Sequence, residues 1–450
     1  MRDIRRLWLA VLIASVILVS TVVLFRSLKS TPFHKDESGW IASGNYYSDL
    51  LLKHDFAWEN WQCSACGPWG SLNPPIGKLM IGMPLRIFSP APPSERGADF
   101  RGYYDFEESF EQNLTQGRVP PDKILILARR PSAVVGILCC LLVCGIGYMC
   151  DSWWTAALAA GLLLMNQTFV EHASRAMTDV HYNAFLLLLC FVSIFFLKAR
   201  HPRHVLYSSA LCGMLAGLAC SVKIIGIVVG GGYFVLVVAY KYWVGEIRRP
   251  SFTSSVILFA VLSVVTIYAL NPYYWPSAAE MNVKAVVDEA RTVPATMRNL
   301  NVQPAPNSED FPHLNRLLAF PLLFVRWERF MTHQQALPSA SWHGSRLRAF
   351  HEKLLLTDVS FHGEPIFLLI GLVLCGLKLR ESLREGRVHE LGAPLIYFGV
   401  NYLFILFFMR LNWDRYYLPT IIASRVFIAM GLVQVVRFGA PMAGWQSKRN

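Results

Sequence analysis

Ten apolar stretches, each close to the length a helix needs to cross a bilayer, dominate this chain. They centre on residues 7–25, 133–149, 153–170, 180–197, 205–222, 224–240, 252–275, 365–379, 391–409 and 416–436. Roughly twenty apolar residues span the hydrocarbon core as a helix. Lipid offers no partner to an exposed N–H or C=O, so runs of this length must be helical. The sequence predicts an all-α polytopic membrane protein with about ten transmembrane helices, built as one transmembrane domain over residues 1–450. Composition agrees: 54% of the residues are hydrophobic and 16% are charged, against about a quarter charged in soluble domains. The first run is long for a cleavable signal and reads as a retained span.

Ten crossings return the chain to its starting side. The basic segments "MRDIRR", "LKARHPRH", "KYWVGEIRRP", "LKLRESLREGR" and "QSKRN" then all fall on one face, which the positive-inside rule makes cytoplasmic. Both termini are expected there. The net charge of +12 is read as loop and headgroup anchoring, with no nucleic acid as partner. Two long loops, 26–130 and 276–364, go to the other face. The first is rich in aromatics, and "GNYYSDLLLKHDFAWENW" and "IGKLMIGMPLRIF" read as interfacial amphipathic helices. Seven cysteines lie in apolar runs and act as small hydrophobes. Cys63 and Cys66, in "CSAC", lack the second pair of a zinc site. A local disulfide or two free thiols is the reading there.

Polar residues gather on the non-cytoplasmic face. Asp36 and Glu37 follow the first run, and Lys78 sits in "NPPIGKLMIG". Arg129 and Arg130 open the second span, where headgroup anchoring would explain them. Glu171, His172, Arg175 and Asp179 join spans three and four, and Lys223 lies between spans five and six. Asp414 and Arg415 open span ten, and Arg425 lies inside it. Arg175 and Asp179 have the spacing of a helical ion pair. A charge inside a span needs a cavity or a partner. Cations and carboxylates at one membrane face suit phosphate binding together with acid–base work.

In order along the chain, "HKDESGW", "NPPIGK", "ASRAMTD", "GLACSVKIIGIV" and "DRYYLP" resemble the motifs of GT-C membrane glycosyltransferases. The type is that of the protein O-mannosyltransferases and the aminoarabinose transferases (ArnT). Asn73 stands where those proteins usually have His before the Pro pair. The second outer loop is too short for a MIR domain. The resemblance implies a GT-C fold and a sugar donor linked to polyprenyl or dolichyl phosphate. It implies transfer to an acceptor hydroxyl on a protein, lipid or glycan, with inversion, at the extracytoplasmic surface. It makes Asp36 the general base toward that hydroxyl, with Glu37 orienting it, binding substrate or helping to place a metal. Lys78, Lys223 and Arg415 become the phosphate side. Arg175 with Asp179 frames the sugar or forms a structural pair, and Arg425 joins the substrate-binding set. No nucleotide is expected, no residue is assigned as a metal ligand, and dependence on a divalent metal stays open.

A transporter or lipid flippase is the reading from a different class. Such proteins carry ionisable groups at the bilayer midplane within repeated halves, and no repeat is seen. The sequence names neither the sugar nor the acceptor. Chain length leans toward a plasma membrane over the endoplasmic reticulum. Asn113-Leu-Thr matches the N-glycan acceptor triplet.

Overall fold

A computed structural model describes residues 2–61, 73–88, 103–105, 108–272, 275, 359–408 and 414–439. The second long loop up to residue 358 lies outside this set, as do Cys63 and Cys66. The elements are helical throughout: α1 (Arg2–Ser30), α2 (Lys35–Leu52), α3 (Trp58–Trp61), α4 (Pro75–Phe88), α5 (Phe110–Thr115), α6 (Asp122–Cys150), α7 (Trp153–Met165), α8 (Gln167–Ala173), α9 (Asp179–Lys198), α10 (Pro202–Val222), α11 (Ile225–Trp243), α12 (Arg249–Leu270), α13 (Val359–Arg384), α14 (Gly392–Phe408) and α15 (Asp414–Gly439).

Each of the ten expected spans contains helix among the described residues, the seventh ending at Leu270, ahead of the expected 275. Among the described residues, seven helices are long and apolar enough to cross a membrane: those of α1, α6, α9, α10, α11, α12 and α15. The third expected span is different. It breaks at Asn166, which ends α7 and caps α8 by accepting a hydrogen bond from the Phe169 N–H at 2.9 Å. Asn competes with the helical backbone in this way, so it favours caps over helix interiors. The 13 residues of α7 reach only about 20 Å at 1.5 Å per residue. The segment therefore ends in a short buried helix that carries Glu171 and His172. Span eight runs as α13, which starts ahead of the expected 365 and carries Pro365 inside it.

The bundle core forms between α6, α9, α10, α11, α14 and α15, with α7 packed on α6 and α15. Side chains facing lipid, such as Leu18, Val228 and Val264, stay exposed. That is the outside-apolar arrangement of a membrane domain. The two helices of the first loop form a layer over one end of this bundle. α2 starts at Lys35, nine residues before the expected interfacial segment, because His34 caps it. α4 matches expectation closely and crosses α2 at glycine contacts. A Cβ on Gly44 would lie 2.6 Å from the Lys78 carbonyl, and one on Gly82 would overlap the Gly44 backbone. Only the missing side chains permit that approach. The first turn of α4 rests on the bundle, where a Cβ on Gly77 would meet Thr178 at 2.6 Å and Val222 at 3.0 Å.

Candidate active site

The adjacent carboxylates Asp36 and Glu37 sit side by side in the first turn of a helix, where unpaired N–H groups and the macrodipole favour negative charge. The segment "HKDE" builds a capping box with an unusual cap. His34 Nδ1 accepts from the Asp36 N–H at 3.1 Å, and Glu37 Oε2 accepts from the His34 N–H at 2.9 Å. The two carboxylates then turn to different partners.

Glu37 is fully buried and bound on both oxygens. Arg129 donates from Nε to Oε1 and from Nη2 to Oε2, both at 2.7 Å, and the Ala176 N–H donates to Oε1 at 2.8 Å. Arg129 uses its remaining donors on the carbonyls of Leu28, Thr31 and Pro32. Burial pushes the Glu37 carboxyl up, but Arg129 and the backbone donors outweigh it and hold it below the usual range. This clamp ties α1, α2, α6 and the turn after α8 together. Arg129 is 2% exposed, so headgroup anchoring does not apply to it. Its guanidinium faces inward because Glu37 and three carbonyls surround it. Glu37, with both oxygens taken, does not present a joint face with Asp36 to a metal ion. Among the described residues no group of three His, Cys, Asp or Glu side chains is arranged to hold a metal.

Asp36 keeps 13% of its side chain exposed and accepts from Arg415 Nη1 at 2.7 Å through Oδ2, with His34 Nδ1 at 3.9 Å from the same oxygen. Burial and Asp179 push its pKa up. The His34 imidazole and Arg415 guanidinium pull harder, so it lies below the usual carboxylate value. The next pair is Lys223 Nζ with Asp179 Oδ1 at 2.6 Å. Asp36 is the second residue of α2, Asp179 the first of α9, Lys223 caps the end of α10 and Arg415 is the second residue of α15. Four helix ends thus bring together two carboxylates and two cations that lie far apart in sequence.

Three of these charges, on Asp179, Lys223 and Arg415, border a cleft, and Asp36 joins them through its bond from Arg415. Asp179, Lys223, Arg415 and Tyr416 form its polar rim, Ile225, Val229, Phe404 and Ile405 line it with apolar surface, and Asn183 and Asn401 also face it. Cations beside an apolar trough on a membrane domain can seat an amphiphile, with its anionic head at the cations and its tail toward lipid.

The other expected site residues stand apart. Arg175 does not pair with Asp179. The backbone between them leaves the helix, so helical spacing does not hold, and Arg175 pairs instead with Glu171 at 3.2 Å. Arg425 is fully buried and meets Glu364 of α13 at 2.8 Å, the partner that a charge inside a span requires. Lys78 is buried with Nζ 4.8 Å from the Tyr47 ring centroid. It follows Gly77, whose contacts with Thr178 and Val222 set α4 beside Asp179 and Lys223. Sequence reading missed His34, Tyr416, Asn183 and Asn401. The spacing of His34 and Glu37 matches the capping-box pattern and could have revealed the first. The asparagines carried no signal within apolar runs. Asn113 is fully buried, donates from Nδ2 to the Asp105, Glu108 and Ser109 carbonyls and accepts from the Asp105 N–H. Its triplet lies in the helix α5.

Residues 71–279 match the family model of dolichyl-phosphate-mannose-protein mannosyltransferase. Among solved structures, ArnT from Cupriavidus metallidurans in the apo state superposes with a TM-score of 0.51 at 14% identity, covering 96% of this chain and 61% of that one. The archaeal oligosaccharyltransferase AglB from Archaeoglobus fulgidus, in complex with an inhibitory peptide and a dolichol-phosphate, gives 0.52 at 11% identity, covering 95% and 50%. The chain thus spans between half and three fifths of the length of these proteins. No curated protein matches it. At such identities the likeness shows the fold, which is the GT-C fold. Within that fold, the match over residues 71–279 makes this part of the chain similar to the dolichyl-phosphate-mannose-protein mannosyltransferase family.

Proposed function

We propose that this protein transfers a sugar from a polyprenyl- or dolichyl-phosphate carrier to an acceptor hydroxyl of a protein, lipid or glycan at the extracytoplasmic surface, with both termini cytoplasmic. One observation carries this reading: Asp36, Asp179, Lys223 and Arg415 converge at four helix ends beside an apolar-lined cleft. The matched family uses a dolichyl-phosphate sugar by its name, and the archaeal structure of the same fold contains a dolichol-phosphate.

The chemistry follows from the placement. The acceptor oxygen attacks the anomeric carbon from the face opposite the phosphate. The bond from that carbon to the phosphate oxygen breaks, its electron pair stays on the departing lipid phosphate, and configuration inverts. The hydroxyl proton passes to Asp36. Its Oδ2 is held by Arg415, which leaves Oδ1 for the acceptor. The lowered pKa keeps Asp36 ionised and able to accept a proton at neutral pH. Lys223 bonds Asp179 and Arg415 bonds Asp36, and both cations line the rim of the cleft. They can therefore receive the phosphate as its charge grows, which is stabilisation specific to the transition state. Lys78 adds positive charge on the α4 side. Glu37 positions Asp36 through the helix cap and the Arg129 clamp. Asp179 orients Lys223, while Arg175 and Arg425 hold the scaffold through their own carboxylates.

The ionisable groups of the site lie at helix ends on one face, and the mid-span Arg425 is neutralised by Glu364, which favours a transferase over a transporter. The test is a transfer assay on purified protein with dolichyl-phosphate mannose and dolichyl-phosphate glucose as donors and cell extract as acceptor source. Asp36→Asn is expected to lower transfer about 10²- to 10⁴-fold with membrane insertion unchanged. Equal turnover in Asp36→Asn and wild type would remove Asp36 as base.

A further inference from the structure

The cleft carries two polar groups that neither a phosphate nor a lipid tail requires. Asn183, on α9, and Asn401, on α14, both line it. Asn183 is 1% exposed and Asn401 3%. Each amide nitrogen is already committed. Asn183 Nδ2 donates to the Asp179 carbonyl at 2.8 Å, and Asn401 Nδ2 donates to the Tyr397 carbonyl at 2.8 Å. These bonds to the preceding turn fix the rotation of both carboxamides, leaving each with an acceptor oxygen and one further N–H donor. Asn183 Oδ1 is buried and has no hydrogen-bond partner among the described residues. Leaving such an oxygen unsatisfied is destabilising, and polar side chains inside spans are otherwise rare.

An isoprenoid filling the cleft would satisfy Ile225, Val229, Phe404 and Ile405 but would strand this oxygen. An anion would be repelled by a carbonyl-type acceptor. The ligand chemistry that fits is a group carrying several O–H donors, attached to the anion at the rim. We propose that Asn183 and Asn401 are specificity-determining residues that recognise hydroxyls of the donor's sugar, whose phosphate sits at Lys223 and Arg415. This rests on the function proposed above and adds how the sugar, as distinct from its lipid carrier, is selected. A site built to accept a hydroxyl's hydrogen bond discriminates strongly against a ligand that lacks it.

The experiment uses the full chain in nanodiscs and measures binding of dolichyl phosphate, dolichyl-phosphate mannose and dolichyl-phosphate glucose. Wild type is expected to bind one of the two sugar-bearing lipids roughly tenfold or more tighter than dolichyl phosphate. Asn183→Ala and Asn401→Leu should each erase most of that difference while leaving dolichyl phosphate affinity unchanged, which also shows that the variants fold. Lys223→Met should weaken all three lipids alike. If both asparagine variants keep the difference, or weaken all three lipids equally, the asparagines do not read the sugar and the proposal falls. If wild type binds all three equally, the proposal falls while the lipid-phosphate reading stands. If wild type binds none, the lipid-phosphate reading fails and takes this inference with it.

Discussion

At the scale of single residues, Asp36 is the position where environment sets chemistry. Burial and Asp179 raise its pKa, while His34 and Arg415 lower it further than that. A carboxylate held below its unfolded value adds stability above that value and loses it as pH falls through the folded one. The acidic limb of the pH–rate profile should therefore lie below the ordinary aspartate value of 3.8. His34→Asn keeps a side-chain cap for α2 but removes the imidazole beside Asp36. The carboxyl pKa must then rise, and the acidic limb of kcat/KM should move to higher pH. An unmoved limb would show that His34 acts only as a cap. Lys223→Met should lower kcat roughly 10²- to 10³-fold, the scale of losing one preorganised charge partner, as measured in single-turnover transfer.

Between elements, the Glu37–Arg129 clamp joins the first-loop layer to the bundle. Both side chains are buried, so removing one strands the other. Arg129→Met should cost about 3–5 kcal/mol, read as a large drop in melting temperature in detergent. Replacing both residues with apolar ones should cost less than either single change, because no buried charge is then left alone. The α2–α4 crossing makes a separate prediction. Gly82→Val would drive α2 off α4, since the new side chain overlaps the Gly44 backbone. Transfer should collapse while the buried cysteines of the bundle, such as Cys139 and Cys190, remain protected from thiol reagents. Labelling of those cysteines would mean that the layer and the bundle do not fold as separate units.

Across the whole molecule, the Asp36–Arg415 and Asp179–Lys223 pairs sit at one end of the bundle and a different set of ion pairs ties the other. Lys198–Glu390, Lys378–Asp151 and Lys241–Glu246 connect the helix ends there. Lys241 also donates to the Phe196, Leu197 and Ala199 carbonyls. This end is rich in Lys and Arg, as a cytoplasmic face should be. Cysteines introduced singly at Arg203 and Glu385, in a background lacking exposed thiols, should react only after the membrane is opened. One at Asp55 should react in intact cells. Agreement between Arg203 and Asp55 would overturn the orientation. The Asn113 triplet should carry no glycan when the protein is made in a glycosylating host, and Asn113→Gln should leave its gel mobility unchanged.

Much of this molecule follows from local pattern, because the cost of burying backbone in lipid acts on each segment by itself. Apolar length alone located all ten main helices, and charge at the ends of those runs picked out Asp36, Asp179, Lys223 and Arg415. Asn166 broke the third segment through a cap that apolar counting does not weigh. Partnership was another matter. Arg415 meets Asp36 across 379 positions and Arg129 meets Glu37 across 92, while the near neighbours Arg175 and Asp179 do not pair. Those choices depend on which helix faces abut, and that is settled by close packing at Gly44, Gly77 and Gly82 and by burial, not by spacing along the chain. The tertiary structure alone therefore decided that Glu37 is held in the scaffold while Asp36 pairs with Arg415 at the cleft's rim, and that two asparagines from separate helices line one cleft.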